Sequence, residues 1–106
     1  MTDLTTVVTL PNIAETRAQL ERLRDEREGV LRALEPHALP SVDPVAYQTA
    51  ASHRAVIRQL TAALDRIDAG TYGRCERCGE RIAPARLEAL PHASACIRCQ
   101  SHTDAA

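Results

Sequence analysis

With 106 residues, a formal net charge of −1 and neither Phe nor Trp, the chain suits one domain and is too poor in bulky side chains to fill a large core. Its 44% hydrophobic content includes eighteen alanines, a supply better matched to helices that approach closely along Ala and Leu, with a metal standing in for a small core. Duplex binders carry a basic patch and single-strand binders add aromatic platforms; here thirteen Arg and no Lys face fourteen acids, and Tyr47 and Tyr72 are the only aromatics. Direct nucleic-acid binding is therefore not expected.

Residues 1–11 open with Met1-Thr2-Asp3-Leu4, which lacks the basic region and apolar run of a signal peptide. A short apolar patch, Val7-Val8-Thr9-Leu10, has no assignable role. No stretch approaches the length of a membrane span, so no membrane contact and a cytoplasmic location are expected.

Asn12 followed three residues later by Glu15 reads as a helix N-cap. Ile13, Thr16, Leu20, Leu23, Val30 and Leu34 fall in the three- and four-residue steps of a heptad seam, with Arg27 where an apolar residue was due. This helix should run to Glu35, where Pro36 and Pro40 stop it. Arg17, Arg24 and Arg32 read as part of a solvated charged face.

Asp43-Pro44 announces a second helix, because Asp favours the cap and Pro the first helical position. Ile57, Leu60, Leu64 and Ile67, widened by Val56 and Ala63, form its stripe; the half nearer the connector is built of Ala50, Ala51, Ser52 and His53, with His53 a packed or edge residue. Gly70 closes it. Two such helices joined by a short Pro-containing connector should fold back antiparallel, giving a hairpin over residues 12–70 with its tip at about 36–44.

Residues 71–100 carry Cys75-Glu76-Arg77-Cys78 and Cys96-Ile97-Arg98-Cys99, two Cys-x-x-Cys pairs that use every cysteine in the chain. Seventeen residues separate them, the spacing of a four-thiolate zinc site in which each turn supplies two sulfurs. Disulfides, a Cys₄ iron site and a Cys-x-x-Cys redox centre share parts of the pattern. One structural Zn²⁺ on Cys75, Cys78, Cys96 and Cys99 is the reading adopted; four sulfurs would leave no open position for water, and no Ser/His/Asp set appears, so the chain does not read as an enzyme. His92 and His102 are expected at the surface, not as ligands. Gly79 suits the turn after the second ligand by tolerating positive φ. A small hairpin should carry the first pair, a short helix should run from Pro84 to Leu90, and residues 101–106 read as a frayed tail. The fold class is thus mostly α: an antiparallel two-helix coiled-coil hairpin followed by a small Cys₄ zinc finger.

The run Gly73-Arg74-Cys75-Glu76-Arg77-Cys78-Gly79-Glu80-Arg81-Ile82, with Arg86-Leu87-Glu88-Ala89-Leu90-Pro91 and Cys96-Ile97-Arg98-Cys99, resembles the DksA/TraR family of C4 zinc-finger proteins. The hairpin with Asp43-Pro44-Val45 at its turn extends the resemblance over about residues 12–100. It implies a transcription regulator that binds bacterial RNA polymerase by inserting the hairpin into the secondary channel, with the finger as a rigid base and Asp43 as the partner-binding candidate at the tip. The alternative is a zinc-stabilised adaptor that docks another protein without affecting transcription. The family's tip pattern is Asp-x-x-Asp-x-Ala, and Asp43-Pro44-Val45-Ala46-Tyr47-Gln48 keeps only its first Asp. Members that respond to guanosine tetraphosphate carry basic residues where this chain has Leu90 and Gln100, so that site is expected to be absent. The second helix is also shorter than in long members by roughly 16 Å, three helical turns.

Overall fold

The computed structural model describes residues 12–105, the last four by their backbone alone. Four helices follow one another: α1 (Ile13–Leu34), α2 (Pro44–Ala69), α3 (Pro84–Ala89) and α4 (Ile97–Ala105). The first two form the antiparallel hairpin.

Local chemistry sets their ends. Asn12 caps α1, its side-chain oxygen accepting from the Glu15 amide at 3.1 Å. Pro36 does not stop the winding at once. It falls in the first positions of a 3₁₀ turn, Glu35–His37, where a missing amide hydrogen costs nothing, and the chain leaves helical geometry at Ala38. A tight turn follows, with Val42 and Asp43 both donating to the Leu39 carbonyl, at 3.0 and 2.9 Å. Pro44 opens α2, and Gly70 closes it at φ 78°. The Gly70 and Thr71 amides donate to Ile67 and Arg66 oxygens at 3.1 and 2.9 Å, the paired bonds of a Schellman ending.

Three side-chain pairs zip the helices: Arg17 to Asp68 at 2.7 Å at the base, Arg27 to His53 at 3.3 Å midway, and Arg54 to Glu35 at 3.4 Å towards the tip. The two exposed ion pairs, Arg17–Asp68 and Arg54–Glu35, contribute about 0–1 kcal/mol each, so the packing beneath them holds the hairpin. In the lower half Leu20, Leu60, Ala63, Leu64 and Ile67 are buried together, with Leu23 and Val56 against them. At the tip the cluster is Ala38, Ala46 and Ala50, backed by Leu31 and Leu34. Along α2 the seam Ala46, Ala50, His53, Ile57, Leu60, Leu64, Ile67 holds the alternating steps of a heptad.

Along α1 the seam departs from the expected one. Val30 and Ile13 are each 45% exposed, whereas Leu31 packs inward. Arg27 occupies its seam position by pairing with His53, and the next inward residue lies four positions on, because a straight helix of 3.6 residues per turn drifts from a strict seven-residue repeat.

The radius of gyration is 16.6 Å and the molecule measures 60 × 33 × 21 Å. A compact domain of this length would have a radius near 13 Å. The chain is a rod, with the finger at the end of the hairpin opposite the tip.

In the finger, the expected hairpin reduces among the described residues to a single antiparallel bridge between Arg74 and Arg81. The short helix ends at Ala89, one residue early, with the Leu90 amide returning to Arg86 oxygen at 2.7 Å before Pro91. Residues 101–105, expected to fray, continue α4. Its first turn holds Cys99, the Gln100 amide reaches Cys96 oxygen at 2.9 Å, and neither Gly nor Pro follows to break it.

Candidate metal centre

Backbone geometry delivers the cysteines. The Cys75 amide donates to Glu80 oxygen at 2.8 Å and the Gly79 amide to Cys75 oxygen at 2.9 Å, closing the first loop. Gly79 takes φ 77°, a left-handed conformation that a β-carbon would strain. The second pair sits at the start of α4. Helical spacing of i and i+3 therefore aligns Cys96 and Cys99 where a turn aligns Cys75 and Cys78. The Glu76 amide ties the two halves by donating to Ser94 oxygen at 2.9 Å.

None of the four cysteines forms a disulfide, and their sulfurs lie within 4.8 Å of one another. Sulfurs at 2.3 Å from a tetrahedral zinc are about 3.8 Å apart; Cys78 and Cys96 Sγ stand at 3.8 Å. The set can hold one zinc ion.

Electrostatics grade the thiols. The Cys78 amide, then that of Cys96, hold the Cys75 thiol down from 9.0 to about 6. The Cys99 amide lowers Cys96. Cys99 is pushed up to about 12, chiefly by the Cys75 side chain and then by Cys96. Cys75 is poised as a thiolate while Cys99 retains its proton, so loading zinc releases protons, that of Cys99 among them.

Around the sulfurs lies a small apolar shell: Ile82, Leu87, Ala93 and Ala95, with Tyr72 packed against it. Tyr72 also packs on the hairpin cluster, so one ring bridges both cores. Its hydroxyl donates to Pro91 oxygen at 2.8 Å. Burial raises its pKa from 10.0 against the opposing charge of Arg66, keeping the donor protonated.

Arg66 is the second bridge. Only 9% exposed, it donates from Nη2 to the carbonyls of His92 and Ala93 at 3.3 and 3.4 Å, and its Nη1 lies 3.8 Å from Glu76 Oε1. Neither Arg66 nor Tyr72 was legible as important in the sequence. Arg66 carries the charge of a solvated face, and only its place beside Ile67 in the last turn of α2 hints otherwise.

His92 departs from its expected surface position. It is half-buried, and its Nδ1 is sealed from solvent without a hydrogen-bond partner among the described residues. Burial, then the charges of Arg27 and Arg66, lower its pKa from 6.5. It is not in the sulfur cluster. The side chain of His102 lies outside the described residues, as does the Val7–Leu10 patch.

Asp43 stands alone at the far end of the hairpin. Its Oδ1 accepts from the Ala46 amide at 3.0 Å, the helix cap.

Residues 70–102 match the prokaryotic dksA/traR C4-type zinc finger. The chain's finger is similar to those of DksA-like proteins. The chain is 30% identical over 91 residues to general stress protein 16O of Bacillus subtilis, a match covering 85% of this chain and 56% of that protein. With the RNA polymerase-binding transcription factor DksA of Caulobacter vibrioides it shares 31% identity over 88 residues, 83% of this chain and 62% of that one. The chain thus spans less than two thirds of the length of either relative. In fold it is similar to the RNA polymerase binding protein and transcriptional regulator Dks of Chlamydia trachomatis, with a TM-score of 0.61, 24% identity, and 90% and 92% of the two chains covered. No helix among the described residues is long and apolar enough to cross a membrane.

Proposed function

We propose that this protein is a cytoplasmic, non-enzymatic transcription regulator that binds bacterial RNA polymerase through the secondary channel. Residues 12–70 are the probe. Residues 71–100, with zinc on Cys75, Cys78, Cys96 and Cys99, are the rigid base that orients it. The observation that carries this reading is the 31% identity, over 83% of the chain, to a protein whose name states RNA polymerase binding. The shape supports it physically: a rod 60 Å long and 21 Å across its narrow dimension has the form of a probe for an opening.

Asp43 takes part by fixing the tip. Its carboxylate is engaged by the Ala46 amide, so it presets the turn and the start of α2. Guanosine tetraphosphate is not a ligand at the finger, because Leu90 and Gln100 supply no phosphate-pairing cation at the two positions the resemblance marks.

The test is binding of the zinc-loaded protein to core RNA polymerase, beside a variant lacking residues 38–45. Binding that weakens in the variant supports insertion of the hairpin. A protein that is zinc-loaded and helical yet does not bind at micromolar concentration would leave the adaptor reading in its place.

A further inference from the structure

The surface of this rod changes character at its tip. Along the helices, Glu, Asp and Arg cover the outward faces. From Pro36 to Thr49 the only carboxylate is Asp43 and there is no Arg. In their place, Leu39 is 54% exposed, Val42 65%, Val45 73% and Tyr47 43%. All four lie on the tight turn and first turn of α2. The chain holds Leu39 and Val42 there by the two amides that return to the Leu39 carbonyl, and Val45 follows the capped, proline-started opening of the helix.

Such exposure has a cost that isolated surface apolar residues do not incur, since the four are gathered at one end. The single acid there, Asp43, has its Oδ1 engaged as the helix cap by the Ala46 amide and is outnumbered by the four apolar side chains. We propose that the tip engages its partner by apolar contact, with Leu39, Val42 and Val45 seated in an apolar-lined recess of the protein that receives the hairpin. This rests on the reading of the protein as a polymerase-binding probe, and names the chemistry of the contact that reading requires.

Two arguments select this occupant. A second copy meeting tip to tip would bring about four side chains from each side, against the roughly 20–30 residues per partner of a standard stable interface. A recess that takes in the whole end of the rod buries those side chains and engages both flanks as well. A charged lining would find one acid at the tip, Asp43, against four exposed apolar side chains, so most of the contact would desolvate charge without a partner.

The experiment measures affinity for core RNA polymerase with the zinc-loaded full chain, comparing wild type, Val45→Ser, the triple variant Leu39→Ser/Val42→Ser/Val45→Ser, Val45→Leu, and Asp43→Asn. Melting temperatures and zinc content confirm that each variant folds. The triple variant should bind at least about tenfold more weakly, in the range of lost interface anchors, with Val45→Ser between it and wild type. Val45→Leu, which keeps an apolar side chain in place, should bind more tightly than Val45→Ser, and Asp43→Asn should lose less than the triple variant. Equal affinity of the triple variant and wild type would overturn the apolar contact while leaving polymerase binding standing. Loss on Asp43→Asn with none on Val45→Ser would likewise overturn it, in favour of a charged contact. Absence of wild-type binding would overturn both, as would a wild-type dimer in sedimentation that the triple variant dissolves.

Discussion

Arg66 Nη1 on the last turn of α2 lies 3.8 Å from Glu76 Oε1, inside the first Cys-x-x-Cys loop, while its Nη2 reaches the His92 and Ala93 carbonyls before the second. One guanidinium thus touches both halves of the metal-binding module from the hairpin. The consequence is mechanical: the finger's orientation is transmitted to the rod.

Replacing Arg66 should break that transmission. Arg66→Ala leaves two carbonyls and the Glu76 carboxylate without their donor, at a cost of about 1–3 kcal/mol. Thermal melting should fall, and hydrogen exchange at Tyr72 and residues 92–95 should accelerate while the tip is unchanged. Arg66→Lys should not restore it, because an ammonium cannot fork between loops. Unaltered exchange would show that the Tyr72 packing alone holds the junction.

Acid should loosen the same junction. Burial keeps His92 neutral in the fold, with its pKa below 6.5. Above pH 6.5 both folded and unfolded chains are neutral there and stability is complete; as the pH falls through that value the unfolded chain takes up the proton first, so stability declines towards the lower folded pKa. Melting temperature followed from pH 7.5 downward should show this slope, and His92→Gln should flatten it. An identical slope in the variant would move the effect to other groups.

Zinc should hold the base and not the rod. Cys78→Ser should reduce bound zinc and lower the stability of residues 71–100, since metal affinity in such modules is itself folding free energy, of order 10 kcal/mol. Chelation of the wild type should do the same while α1 and α2 keep most of their helical signal. Full zinc occupancy with unchanged melting in Cys78→Ser would contradict the four-sulfur assignment.

The Asp43 cap can be separated from its charge. Asp43→Asn keeps a side-chain oxygen for the Ala46 amide and should leave stability nearly unchanged, whereas Asp43→Ala should cost about 1 kcal/mol. Equal melting of both variants with wild type would remove the cap as the reason for an acid at this position.

What the sequence disclosed was mostly local. Asn12, Asp43-Pro44 and Gly70 mark helix ends because each acts within four residues of itself, and the cysteine spacing is a property of two short loops. The seam of α1 was legible at Thr16, Leu20, Leu23 and Leu34 but not at Ile13 or Val30. Between Leu23 and Leu34, Leu31 turns inward instead of Val30 by the drift of a 3.6-residue helix against a seven-residue repeat, and Arg27 keeps its seam position through His53, a contact 26 positions apart in sequence. The same distance hid Arg66, whose partners lie as far along the chain. Helix α4 was missed for a different reason: the second cysteine pair reads as a turn by spacing, and a helical first turn gives the same spacing.

The most direct test of the proposed function places a photo-crosslinking residue at Val45, 73% exposed at the tip, and maps the captured segment of core RNA polymerase. The account predicts crosslinks to segments lining the secondary channel, lost when excess intact protein competes and kept when the competitor lacks residues 38–45. Capture confined to the outer surface of the polymerase, or no capture by a protein shown to bind, would contradict insertion of the hairpin.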